Sequence, residues 1–184
     1  MHLQKLRIQN FKSIRDVEIR DIENALILVG KNNAGKTVIL DALRILNDTY
    51  DIQETDFNLD GANIEIEAEF LLDEEDLIYF NREGIVSTYK RYDLWIKEFK
   101  NRLPSYDGES GCIWFKMSVN RNGQRRFYDG VRKDNRYIRQ IIPKFYYIDN
   151  MRHFQDIQDD IFLCQENEWL SRLRKDQCLF ESGK

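Results

Sequence analysis

The chain opens on an alternation of apolar and polar side chains. Leu3, Leu6 and Ile8 interleave with Lys5, Arg7 and Gln9 over residues 3–10, the period of a half-buried strand. Asn10-Phe11-Lys12-Ser13 interrupts the pattern and Val17-Glu18-Ile19-Arg20 resumes it, which predicts an antiparallel strand pair at a sheet edge. A turn over Asp21-Ile22-Glu23-Asn24 leads into Ala25-Leu26-Ile27-Leu28-Val29. This continuous apolar run ends at Gly30 and reads as a strand buried on both faces. Beyond it, Val38, Ile39, Ala42, Leu43, Ile45 and Leu46 recur at helical spacing and predict a helix over 36–47. Residues 64–70 alternate strictly, with Glu65, Glu67 and Glu69 on the face turned to water.

Asp73-Glu74-Glu75-Asp76 places carboxylates where the positive end of a helix dipole favours them, so a short helix starts there. Tyr89, Tyr92, Trp95, Ile96 and Phe99 mark 89–100 as a strand or a short helix, and the spacing does not decide between them. Residues 103–108 are a loop. The segments 112–119 and 125–131 flank Asn120-Arg121-Asn122-Gly123, whose Asn-Gly predicts a hairpin turn. After Pro143, Phe145-Tyr146-Tyr147-Ile148 is a second buried-strand candidate. Phe154, Ile157, Ile161, Leu163, Trp169, Leu170 and Leu173 give a helical pattern over 154–175.

Composition narrows the classes. With 184 residues, 42% of them apolar, the chain can bury a core and amounts to one domain, or one domain with a small appendage. An apolar run of five residues is far short of the roughly 20 that cross a bilayer, so no membrane partner is expected. Three cysteines without CxxC spacing and only two histidines exclude a disulfide framework and speak against a self-contained zinc site. Cytoplasmic, reducing surroundings follow from that usage. Cys112 and Cys164 read as small buried hydrophobes.

The formal net charge of −4 hides two blocks. Every charged residue in 51–76 is acidic, whereas 121–144 carries Arg121, Arg125, Arg126, Arg132, Lys133, Arg136, Arg139 and Lys144 against Asp129 and Asp134. The basic block reads first as a solvated hairpin and loop, and second as a surface for DNA phosphates.

The chemistry concentrates in Gly30-Lys31-Asn32-Asn33-Ala34-Gly35-Lys36-Thr37, which fits GxxxxGK[ST] between a predicted strand and a predicted helix. Glycines let the backbone turn sharply and bring its N–H groups onto phosphate oxygens. The helix that begins near Lys36 adds its dipole to the same anion site. Lys36 is the expected catalytic residue, reaching the β- and γ-phosphates, and the Thr37 hydroxyl is the expected Mg²⁺ ligand. The pattern predicts binding of a nucleoside triphosphate along residues 30–38, Val38 included.

The opening LRIQNFKSIRDVEIRDIENALILVGKNNAGKTVILDALRIL resembles the N-terminus of the SMC/RecF-type ATPases of the ABC superclass. Within these it most resembles the OLD (overcoming lysogenisation defect) family of ATP-dependent nucleases. The matching features are a strand ending in Asn10-Phe11-Lys12-Ser13-Ile14, a short second strand, the Gly-x-Asn-Asn-x-Gly-Lys-Thr loop and "DALRIL" on the next helix. The match is specific over 3–46 and loose over 60–160.

The resemblance implies an α/β P-loop NTPase of the ABC/SMC-like class, with a mixed central sheet and an antiparallel β subdomain. It implies ATP and Mg²⁺ as cofactors, Lys12 near the nucleotide, and two heads closing as a homodimer around two nucleotides. DNA and a nuclease domain or subunit are the further partners implied. A complete core of this kind also needs a Q-loop glutamine, a signature motif, a Walker B strand and a switch histidine. Gln155, or else Gln158, is the Q-loop candidate, and Gln155 would join Thr37 at the metal. Tyr146-Tyr147-Ile148-Asp149 has a Walker B outline, but Asn150 stands where a general-base glutamate would follow, and a strand end with a capping aspartate is the other reading. No serine-glycine signature followed by an aliphatic run ending in Asp-Glu occurs in the sequence.

The expected organisation is therefore the first lobe of a longer ATPase, which the abrupt ending at 178–184 fits. Within 1–184 it divides into a strand pair, P-loop and first helix (1–50), a β-rich subdomain (51–148) and a helical segment (149–184). Two alternatives stay open: a nucleotide-sensing regulatory subunit without turnover, and a P-loop small-molecule kinase, against which the antiparallel opening speaks.

Overall fold

Alternation becomes strand pairing in the computed structural model, which describes residues 1–22, 25–29 and 35–145. Strand β1 (His2–Phe11) pairs antiparallel with β2 (Ile14–Ile19), Leu6 opposite Ile19 and Ile8 opposite Val17. On its other side β1 pairs with β3 (Ile64–Leu71), which pairs with β4 (Cys112–Val119), and β4 pairs with β5 (Arg125–Tyr128). The result is one five-stranded antiparallel sheet in the order β2-β1-β3-β4-β5. Its strands alternate as the pleat requires: Leu6, Ile8, Ile64, Ile66, Phe70, Ile113, Phe115 and Val119 are all buried.

Three longer helices join the same core. Helix α1 (Lys36–Leu46) contributes Ala42, Ile45 and Leu46, α2 (Glu74–Arg82) contributes Leu77 and Phe80, and α3 (Tyr92–Arg102) contributes Trp95 and Phe99. A short helix, α4 (Ile138–Ile141), adds Ile138 and Ile141. The start of α2 is fixed as its acidic run predicts. The Asp73 side chain accepts from the Asp76 amide at 2.8 Å, and the Asp76 carboxylate accepts from the Asp73 amide at 3.0 Å. The segment left open between strand and helix is helical. Tyr92, Trp95 and Phe99 lie three and four residues apart, and Arg102 reaches back four residues to Glu98 at 2.5 Å.

Two elements differ from expectation. The run Ala25-Leu26-Ile27-Leu28-Val29 is not a buried strand: it has no β-pairing, and Ile27 and Val29 are 82% and 89% exposed. A strand buried on both faces needs neighbours along both edges, and none of the described residues provides them. The antiparallel sheet instead ends at β2 and β5. The hairpin strand β5 stops at Tyr128, three residues early. Buried Asp129 takes the amides of Val131 (2.9 Å) and Arg132 (2.5 Å) on one oxygen and the Asn135 side-chain amide (2.6 Å) on the other, which turns the chain away from β4. Cys112 is half-buried at the start of β4 rather than a core hydrophobe.

The two charge blocks meet through Arg121. Arg121 pairs with Glu54 and with Asp60 (3.4 Å), while Arg125 (3.0 Å) and Arg139 (3.9 Å) both face Asp48. The basic run therefore serves chain closure with part of its cations. Residues 146–149, 153–155, 158, 164 and 178, with the strand and helix predicted over 145–175, lie outside the described residues apart from Phe145. Among the described residues no helix is long and apolar enough to cross a membrane.

The outer face of the sheet carries a ladder of ion pairs. Lys5 meets Glu18 at 2.5 Å, Arg7 meets Asp16 at 2.7 Å, and Lys116 meets Glu65 at 3.2 Å. Hydrogen bonds from Arg20 and Lys5 bring the Glu18 carboxyl from its ordinary 4.5 down to about 2, and the Arg7 guanidinium lowers Asp16 as well. A carboxylate depressed in the folded state stabilises the fold above its unfolded pKa and loses that contribution as pH falls through the folded value. Stability should thus decline between about pH 4.5 and about pH 2. Glu18→Gln should flatten that decline when urea midpoints are measured across the range, and an unchanged pH profile would remove Glu18 from this account.

Candidate nucleotide-binding site

The site is built on the corner between β1 and β2. Asn10 and Lys12 both adopt left-handed backbone, with φ of 56° and 50°. Asparagine tolerates that conformation and lysine does so at a cost of about 1 kcal/mol or more, so the corner must be held from outside. It is. The Asn10 side chain donates to the carbonyls of Ala62 (2.8 Å) and Asn63 (3.2 Å) and accepts from the Leu59 amide. The Lys12 amide donates to the Asp56 carbonyl at 2.7 Å, and the Lys12 carbonyl accepts from the Asn58 side chain at 2.6 Å.

This corner abuts the start of α1. Gly35 stands at the helix N-terminus with φ +85°, and a Cβ added to it would lie 3.7 Å from Ser13 Oγ. A left-handed backbone at this position favours glycine. The helix start has no side-chain cap and no acidic residue in its first turn; the Val38 amide donates to the Gly35 carbonyl at 3.1 Å. Lys36 is half-exposed and Thr37 exposed, while Ala42, Ile45 and Leu46 anchor the far end in the core. An uncapped helix start with a positive dipole and no acidic residue in its first turn suits an anion.

Lys12 is tied to that helix. Its ammonium donates to Asp41 at 2.6 Å and lies 4.8 Å from the Tyr50 ring centre and 5.4 Å from that of Phe11. Burial pulls the Lys12 pKa down, but hydrogen bonds with Asp41 and Tyr50 outweigh it and the net shift is upward, so the ammonium stays charged. Asp41 is buried and also meets Arg44 at 3.3 Å. Tyr50 in turn donates to the carboxylate of Asp56 at 3.2 Å. Of the residues predicted from sequence, the structure places Gly35, Lys36, Thr37 and Val38 at the start of α1 and ties Lys12 to Asp41 of the same helix. Gly30, Lys31, Asn32, Asn33, Ala34 and Gln155 lie outside the described residues. Sequence reasoning missed Asp41, Tyr50 and Asp56, whose one local signal is an acid placed directly before Ala42 in the buried stripe of α1.

Over residues 1–179 the chain matches the family of the AAA ATPase domain. It belongs to that family. The AAA ATPase domain family implies nucleotide binding, in keeping with the phosphate-loop sequence and the helix that follows it. The domain also superposes on a solved SMC ATPase structure, from work on ATP-driven dimerization and DNA-stimulated activation of those proteins. That likeness has a TM-score of 0.51 at 16% identity and covers 96% of this chain and 98% of the other, so the two share a fold. An uncharacterized protein of Methanocaldococcus jannaschii is 27% identical over 173 residues, 91% of this domain. The chain spans only 47% of that relative's length.

Proposed function

We propose that this chain is the ATP-binding lobe of an OLD-like member of the ABC-class ATPases, and that its nucleotide cycle regulates a DNA-directed activity. The observation that carries the reading is the start of α1, uncapped, free of acidic residues in its first turn, and placed at the lysine of GxxxxGKT. In this reading the amides of 30–38 and the Lys36 ammonium hold the ATP phosphates, and the Thr37 hydroxyl, with Gln155, holds Mg²⁺. The metal, when bound, neutralises phosphate charge. Lys12 contributes by orienting α1 through Asp41, and its place near the nucleotide rests on the resemblance of the opening residues.

The exposed apolar segment at 25–29 supports a lobe that works with further sheet strands, as does the length of the curated relative, about twice that of this chain. The neighbour's ATP-driven dimerization motivates a homodimer of heads, and its DNA-stimulated activation motivates a DNA partner. A nuclease domain or subunit, and a role in genome maintenance or phage defence, rest on the resemblance of residues 3–46 alone.

The test is sedimentation and ATP turnover of the full-length protein containing this lobe. Mg-ATP should convert monomer to dimer, and hydrolysis should require the remainder of the head. Equal turnover by residues 1–184 alone, or a sedimentation profile indifferent to ATP, would count against the reading.

A further inference from the structure

A second polar cavity lies away from α1, between the turn after α2, the end of α3 and the start of α4. It has a volume of about 640 Å³, within the range of small-ligand sites. Its floor is the turn at Val86, which is 3% exposed and has φ +68°. A β-branched residue in left-handed backbone is an outlier that persists only when its surroundings dictate it. Here three side chains do so. The Val86 amide donates to Gln140 Oε1 at 2.8 Å, Arg102 donates to the Val86 carbonyl at 2.5 Å, and the Trp95 indole donates to the Ile85 carbonyl at 3.0 Å.

The charge of the lining has one sign. None of the nine described residues around the cavity is acidic, and two are arginines. Arg102 is compensated by Glu98 at 2.5 Å. Arg136 has no carboxylate partner among the described residues: its guanidinium donates to Tyr137 Oη at 3.4 Å and lies 5.2 Å from that ring's centre. Arg102 lies 4.8 Å from the same ring. The Arg136 hydrogen bond, with the charge of both guanidiniums, holds the Tyr137 phenol below its usual pKa against the opposing effects of burial and Glu98. Gln140 accepts from Val86 through its oxygen, which leaves its amide nitrogen to donate. With Thr88 and Ser87 beside it, the cavity offers the Arg136 guanidinium and several neutral polar groups, and the nearby carboxylate, Glu98, is engaged by Arg102.

We propose that this cavity binds the phosphate of a phosphate monoester, at a site separate from the phosphate loop. A phosphate matches the donor set better than a carboxylate, because it carries more charge and three terminal acceptor oxygens. The inference does not depend on the function proposed above, since none of the described residues 35–38 lines the cavity.

The experiment titrates the full chain carrying Lys36→Ala, which silences the phosphate loop, with AMP and with adenosine by calorimetry. AMP should bind saturably and adenosine should not. Adding Arg136→Gln should weaken AMP at least tenfold, and adding Thr88→Val should weaken it severalfold, with near-ultraviolet circular dichroism unchanged in both. Loss of AMP binding in Lys36→Ala alone would assign the uptake to the phosphate loop, and equal binding of adenosine would assign it to the base. Either result, or indifference to Arg136→Gln, overturns the proposal. A second arm compares 5′-phosphorylated and 5′-hydroxyl oligonucleotides. A preference for the phosphorylated end identifies a nucleic-acid terminus as a second source of the same group, whereas equal uptake sensitive to Arg136→Gln would mean backbone binding and overturns the monoester assignment.

Discussion

Replacing Lys36 with alanine should weaken Mg-ATP binding by about a hundredfold or more while leaving the fold intact. Lys36 is the first residue of α1, one position after the left-handed Gly35. An ammonium there makes charge-assisted hydrogen bonds to phosphate oxygens, and removing bonds of that strength costs about 3 kcal/mol, or about two decades of affinity. The helix itself should not suffer, for alanine is the best helix former and the buried residues that anchor α1 are Asp41, Ala42, Ile45 and Leu46. Calorimetry with Mg-ATP on the full-length protein should therefore lose its heat while the thermal midpoint stays within a degree or two of wild type. Normal affinity in this variant would remove the phosphate loop from the account, and with it the function proposed above.

How much of this was legible in the residues depended on the range of the forces involved. Strands β1 and β3 and helix α1 follow from periodicity alone, because each buries one face and the pattern repeats within a few residues, while β4 follows from the Asn-Gly turn that it flanks. The segment 89–100 did not resolve, since aromatics at 89, 92, 95 and 99, with Ile96, fit two periods until Trp95 and Phe99 are seen sharing one buried helix face. Residues 25–29 show the opposite failure. Five apolar side chains in a row look like a strand buried on both faces, but that burial belongs to whatever pairs with the strand and not to the run itself. The basic block at 121–144 was also ambiguous locally, because Asp48, Glu54 and Asp60, which engage three of its arginines, are about 60 to 90 residues away. In the candidate site, the phosphate-loop residues announce themselves by spacing. The Lys12–Asp41 link, 29 residues apart, does not.

Trp95→Ala should be the most destabilising single substitution in the region around the second cavity, by about 3–5 kcal/mol in urea unfolding. Its indole is fully buried, 4.9 Å from the Phe99 ring centre and 5.9 Å from that of Tyr92, so truncation leaves a cavity between α3 and its neighbours. Against a total stability of about 5–15 kcal/mol, that loss would leave a measurable unfolded fraction at moderate urea. Part of the cost is separable. Trp95→Phe keeps most of the ring but deletes the donor to the Ile85 carbonyl, and an unsatisfied buried carbonyl costs about 1–3 kcal/mol. Ile85 precedes the strained Val86, so this smaller change should also loosen the turn that Gln140 and Arg102 hold from the other side. The expected order of urea midpoints is wild type above Trp95→Phe above Trp95→Ala, with faster amide exchange at Val86 in both variants. Equal midpoints for the two variants would place the stabilisation in the hydrogen bond alone and deny the ring its packing role. Unchanged exchange at Val86 would show instead that Gln140 and Arg102 suffice to hold the left-handed valine without the indole.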